Sequence, residues 1–245
     1  MPELLTLLLT EPVIVLSYTV FGMVGFGSTL VAAPLLAHVL PVTTIVPSLA
    51  LTDMVASWSN GWRLSQHVVW KELRRLVPAL FVGSALGAWI LFSLPVQLLM
   101  TLLGLFVVLY SLNGLRPGRT LSPITARWAW WYGVAGGTLS ALFGSGGWVY
   151  SMYLLRRLNE PQEIRATQTA VLMFSSLIRV LLFVVAGRLL DLDLMVLVLL
   201  MLPALALGLY LGHRISVKLN RTRFMQVLYG VLLLSGSSLL LRSLL

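Results

Sequence analysis

Apolar stretches of membrane-spanning length follow one another along almost the entire chain, and this succession constrains the fold more than any other feature. They run at 4–24, 28–40, 45–62, 76–94, 96–115, 128–143, 147–155, 166–187, 192–213 and 224–241. A helix needs about 20 residues to cross the hydrocarbon core, so most of these stretches read as spanning helices. Charged residues make up only 10% of the 245, against 58% hydrophobic ones, and the mean hydropathy is +0.94. A water-soluble domain of this length needs far more charge to cover its surface, so lipid is the solvent implied. The net charge of +9 would suggest nucleic acid in a soluble protein. Here the basic residues sit at the ends of apolar stretches, which is the cytoplasmic anchoring of a membrane protein, and no nucleic-acid partner is expected. Met1 to Thr10 is apolar but carries Glu3 where a secretory signal would carry Lys or Arg, so this segment reads as retained.

Two stretches, 28–40 and 147–155, are too short to span. Each follows a glycine cluster, Gly25-Phe26-Gly27-Ser28 in one case and Gly144-Ser145-Gly146-Gly147 in the other, and both read as broken helices. Internal repetition ties the two together. Val77 to Gly87 aligns with Leu202 to Gly212, sharing Pro, Ala, Leu, Gly, Leu and Gly in order. The glycine clusters, Pro41 with Pro161, and Gly104 with Gly230 recur at nearly the same interval. The polar segment from Arg116 to Arg127 is the natural divider. It makes residues 1–115 a first membrane repeat, 116–127 a cytoplasmic linker and 128–245 a second repeat.

Lys and Arg near span ends concentrate on the cytoplasmic side, and this rule selects an arrangement of the halves. Four ordinary crossings per half would make the repeats parallel and spread the basic residues evenly over both faces. If each glycine-broken segment instead dips in and returns to the side it left, Arg156, Arg157, Arg165, Arg214, Lys218, Arg221 and Arg223 join Arg63, Lys71, Arg74, Arg75, Arg116, Arg119 and Arg127 on one face. An odd number of crossings per half inverts the second repeat relative to the first, as in many secondary transporters. The expected fold is therefore an all-α polytopic membrane protein with two inverted repeats. Each has three spanning helices and a glycine-broken re-entrant hairpin, and a parallel arrangement of four plus four helices is the alternative.

Non-helical backbone is tolerated at membrane depth only where protein or a water-filled cavity covers it, so the glycine clusters point to a cavity. Helices restarting at Ser28 and Gly147 would aim free N–H groups and positive dipole ends into it, which favours anions. The same glycines would also serve as small-residue contacts between packed helices. Asp53 and Arg179 are the ionisable residues placed deepest, in equivalent helices of the two halves. A charge at that depth costs about 2.5 to 3.5 kcal/mol and marks a functional site by default. Arg179 would be the fixed cation for a sulfur oxyanion or carboxylate, and Asp53 would pair with it or carry a coupling proton. A structural ion pair locking the helices, or an Asp53 that caps a helix at the interface, is the competing reading. Asn60 and Gln168 are further substrate-binding candidates on the same helices, with Thr52, Ser57, Thr169, Ser175 and Ser176 as softer ones. Trp58, Trp62, Trp70, Trp128, Trp130 and Trp131 fall near span ends, as interfacial indoles do. His38, His67 and His213 have no metal spacing, no cysteine is available as a thiolate ligand, and no nucleotide loop or catalytic dyad occurs. No metal, no cofactor and no enzymatic activity are expected.

The Gly-x-Gly cluster, short apolar stretch, Pro turn and small-residue helix, repeated after about 120 residues, resemble the TauE/SafE sulfite-exporter family, also called the toluene-sulfonate uptake permeases. The likeness spans nearly the whole chain. It implies a multi-pass carrier of the bacterial inner membrane handling sulfite, organosulfonates or related small anions. It also implicates Gly25, Gly27, Ser28, Gly144, Gly146 and Gly147, with Ser28 standing where a further glycine is common. The function expected is proton-coupled secondary transport of a small anion between the two hairpins, with lipid and substrate as partners and a homodimer as an assembly left open. An anion channel on the same fold, or a membrane scaffold or assembly factor, are the rival readings.

Overall fold

A computed structural model describes residues 4–61, 66–115, 122–189, 191–215 and 221–244. All regular elements of appreciable length among them are α-helices. Five fall in each half of the chain: α1 (Leu4–Val24), α2 (Ser28–Leu36), α3 (Val42–Gly61), α4 (Trp70–Ser93) and α5 (Val96–Leu115), then α6 (Trp128–Phe143), α7 (Gly147–Leu154), α8 (Pro161–Val185), α9 (Leu192–Ile215) and α10 (Arg221–Leu244). Helices α4, α5, α8 and α9 have the length and hydropathy to cross a membrane, so the chain is a multi-pass membrane protein. Broad apolar side chains face outward along them, such as Trp89, Leu109 and Leu199. Exposure of that kind suits lipid, which solvates such groups without penalty.

The two short helices stand where the glycine clusters announce them. Gly25 and Gly27 take φ of 88° and 96°, and Gly144 takes 62°, values that residues with a Cβ reach only under strain. The left-handed turn at Gly144 closes α6 by returning its own N–H to the Ser140 carbonyl at 2.8 Å. Two helices begin earlier than the hydropathy indicated. Expected near 76, α4 begins at Trp70 and takes Lys71, Glu72, Arg74 and Arg75 into its first turns, and Glu72 is buried. Expected near 166, α8 begins at Pro161, whose fixed φ and missing N–H suit a first helical position. Glu11 also lies within α1 and is half-buried.

Helix packing follows one scheme. The most extensive contacts are α4 with α6, α1 with α9, α5 with α10 and α3 with α8. Exchanging each first-half helix for its second-half counterpart turns α4–α6 into α9–α1 and maps the other two pairs onto themselves. The close contacts follow the same exchange. A Cβ at Gly83 would lie 2.1 Å from the Val134 carbonyl oxygen, and one at Gly208 would lie 2.7 Å from that of Val15. Gly87 meets Thr138 on α6, and Gly212 meets Thr19 on α1, in the same way. Only a hydrogen at these positions lets the backbones approach so closely.

Candidate functional site

The two glycine breaks abut. A Cβ at Gly144 would meet Thr29 at 2.1 Å, and one at Gly147 would meet Phe26 at 2.6 Å. Beside this meeting point α3 and α8 bring Asp53 and Arg179 together, with Arg179 Nη2 donating to Asp53 Oδ2 at 2.9 Å. Both side chains are more than nine-tenths buried.

Hydroxyl groups complete the shell of the carboxylate. Ser28 Oγ donates to Asp53 Oδ1 at 2.5 Å and Thr29 Oγ1 donates to Oδ2 at 2.8 Å. The Tyr18 hydroxyl lies 3.0 Å from Oδ1 and 2.7 Å from Thr52 Oγ1, so its single proton serves one or the other. Asp53 is thus held by α1, α2 and α8 at once. Arg179 is less completely served. Nη1 donates to the Ser140 carbonyl at 3.2 Å, while Nε is buried without a hydrogen-bond partner. A buried cation with a spare donor is costly unless something further accepts from it.

A pocket with about 310 Å³ of empty space opens beside this pair, lined by Gly27, Ser28, Asp53, Gly147 and Arg179 among others. It is narrow, with room at its centre for little more than a water molecule. Ser57 and Ser176 also line it and lie 3.1 Å apart, Oγ to Oγ. Their separation in the chain is 119 residues, the interval between the two glycine clusters. Phe21 with Ser140, Ser28 with Gly147, and Asp53 with Leu172 are further lining pairs at that interval. The two halves therefore contribute matching positions but different chemistry. Asp53 is answered by the apolar Leu172, and Arg179 corresponds to Asn60.

The residues singled out from sequence divide by role. Gly27, Ser28, Gly144, Gly147, Asp53 and Arg179 line the pocket. Gly25 does not; its left-handed φ turns the chain, and the space where a Cβ would project is open. Gly146 packs against the Gly136 carbonyl oxygen at 2.3 Å from its Cβ position. Ser145 Oγ donates back to the Leu139 carbonyl at 3.3 Å, and Gln168 Nε2 donates to the Gly147 carbonyl at 2.8 Å. These two hold the second break rather than face the cavity. The Asn60 side chain lies outside the described ones. Sequence reading missed Tyr18, Thr29 and Ser140, each of which touches the central pair.

Two interrupted helices meeting beside a buried ion pair, inside a bundle of apolar helices, are the layout of a polytopic membrane carrier. The chain belongs to the sulfite exporter TauE/SafE family, whose model matches residues 12–239. It is 27% identical over 190 residues to the probable inner membrane transporter protein TsaS of Comamonas testosteroni, covering 77% of this chain and 80% of that one. Over 209 residues it is 28% identical to the probable sulfite/organosulfonate exporter TauE of Cupriavidus necator, covering 82% and 80%. No solved structure matches the chain.

Proposed function

We propose that this protein is a proton-coupled secondary transporter of the bacterial inner membrane that carries a small sulfur oxyanion, sulfite or an organosulfonate. The observation that carries the reading is the Arg179–Asp53 pair in the central pocket. Arg179 offers a planar, permanently charged fork that matches an oxyanion, and its buried Nε has no partner. Asp53 is the group an incoming anion must displace. A proton taken up on Asp53 removes the competing charge and releases the guanidinium to the substrate, so proton and anion occupy the site together. The family and the names of the two relatives support the substrate class.

The pocket is too narrow for an oxyanion of several heavy atoms, so binding requires the surrounding helices to part. An inverted pair of repeats, 1–115 and 128–245, supplies that motion by rocking one bundle against the other around the axis on which Ser57 meets Ser176. The packing scheme that survives exchange of halves supports this arrangement, as does the one-sided basic charge it produces.

Flux in proteoliposomes tests the proposal. Labelled sulfite or an alkyl sulfonate should exchange saturably across the vesicle membrane, respond to an imposed pH gradient, and stop in Arg179→Ala. Unsaturable flux that ignores the gradient would instead make the protein a channel.

A further inference from the structure

A second buried carboxylate stands away from the central pocket. Glu72, in the first turn of α4, is 3% exposed and is held by three donors. Arg75 Nη1 and Arg157 Nη2 each lie 2.8 Å from its Oε1, and Tyr153 donates to Oε2 at 2.5 Å. Arg75 belongs to the same helix, whereas Tyr153 sits near the end of α7 and Arg157 in the α7–α8 connection. One carboxylate therefore ties the start of α4 to the exit of the second broken hairpin. Arg157 also donates to the Ile124 carbonyl at 3.2 Å, and Val69 N–H donates to Thr167 Oγ1 on α8 at 3.0 Å, so the clasp joins the entry to α6 and α8 as well.

Between this clasp and the central pocket runs a polar seam with unmet hydrogen-bonding capacity. Tyr150 lies one turn before Tyr153 on α7 and packs in the same buried cluster, and its hydroxyl lies beside Ser140 and Ser175 but closes no well-formed hydrogen bond. Gln168 Oε1, on α8 beside the second break, has none either, nor has Arg179 Nε at the inner end of the seam. Buried polar atoms without partners are costly, and water entering along this line would satisfy all of them.

Among the described residues, the matching places of the other half carry no carboxylate. The intervals relating the halves pair Glu72 with Leu197, Tyr153 with Pro34 and Arg157 with His38. Leu197 is buried in the apolar core. The matching places in the other half therefore lack the carboxylate on which this clasp is built.

Given the carrier reading above, we propose that the Glu72–Tyr153–Arg157 clasp is the cytoplasmic gate of the transporter, and that the Tyr150–Gln168 seam is the path that hydrates when it opens. The basic residues around it, Lys71, Arg74, Arg156 and Arg165, set its side by the charge rule. Opening this gate breaks buried ionic bonds, so removing the clasp shifts the population toward the cytoplasm-open state.

The chain has no cysteine, which makes the test direct. Ser176→Cys places a reporter thiol on the pocket wall, and its rate of modification by a membrane-impermeant reagent is read in right-side-out and inside-out vesicles without substrate. Glu72→Gln should raise the rate from the cytoplasmic face about fivefold or more, with no rise from the other face. Tyr153→Phe, which keeps both ion pairs and so guards against misfolding, should raise it by a smaller factor. Arg74→Gln, on the exposed side of the same helix turn, should leave it unchanged. An unchanged rate in both clasp variants, or a rise from the opposite face, overturns the gate. Anion flux plays no part in this readout, so a failed substrate assignment would show separately, in transport assays on the wild-type chain.

Discussion

Ser57 Oγ and Ser176 Oγ meet at 3.1 Å on the wall of the central pocket, although 119 residues separate them. Under the proposed twofold relation of the halves, equivalent positions touch each other only on the axis, and this contact would mark where it passes. Ser57→Ala and Ser176→Ala should therefore cost similar amounts, about 1 kcal/mol each, and the double variant little more than either single one. Unfolding of the purified protein in detergent, arranged as a double-mutant cycle, measures this.

Asp53→Asn removes the competitor for Arg179 while leaving a side chain of the same shape. Anion binding by this variant should be tighter than wild type by about tenfold and indifferent to pH, whereas wild-type binding should strengthen as protons are added. The uncomplexed variant should be less stable than wild type by about 3 kcal/mol, because a buried cation loses its partner. Thermal melts with and without anion at two pH values give all three quantities.

The glycines should separate into classes when changed to alanine. Gly25→Ala meets open space, so its cost is the left-handed strain of about 1 to 2 kcal/mol. Gly144→Ala carries the same strain and drives its methyl into Thr29, so its cost should be larger by about 1 to 3 kcal/mol. Gly230→Ala, with nothing within 4 Å and a helical backbone, should stabilise by about 0.5 to 1 kcal/mol. Melting temperatures of the three variants in one detergent rank them.

Topology has its own test. Single cysteines at Gly118, Asn159 and Leu219 should all be labelled from the same face of the membrane if each half crosses an odd number of times. Labelling from opposite faces would restore the parallel arrangement of four plus four helices.

Much of the site was legible because glycine and buried charge are rare signals in an apolar chain. The clusters at Gly25 and Gly144 located both helix breaks, and Asp53 and Arg179 stood out by depth alone and do pair. Hydroxyl donors were illegible for a physical reason. A Ser or Thr in a membrane helix ordinarily returns its proton to the carbonyl one turn back, as Ser17 does to Val13 and Thr19 to Val15. Nothing local distinguishes Thr29, which reaches Asp53 instead. Glu72 escaped notice because hydropathy placed the start of α4 beyond it. Its burial depends on Tyr153 and Arg157, more than 80 residues away, and no window along the chain reports such a partnership.

Binding of sulfite and of small sulfonates to the purified protein, followed calorimetrically in wild type, Arg179→Ala and Arg188→Ala, tests the central claim most directly. Arg188 lies just beyond α8, over the Phe92 ring, and serves as a cation outside the pocket. The expected result is saturable binding in wild type and Arg188→Ala, with loss of at least a hundredfold in affinity in Arg179→Ala, about 2.7 kcal/mol. Equal binding by wild type and Arg179→Ala would contradict the claim that Arg179 holds the anion between the two broken helices.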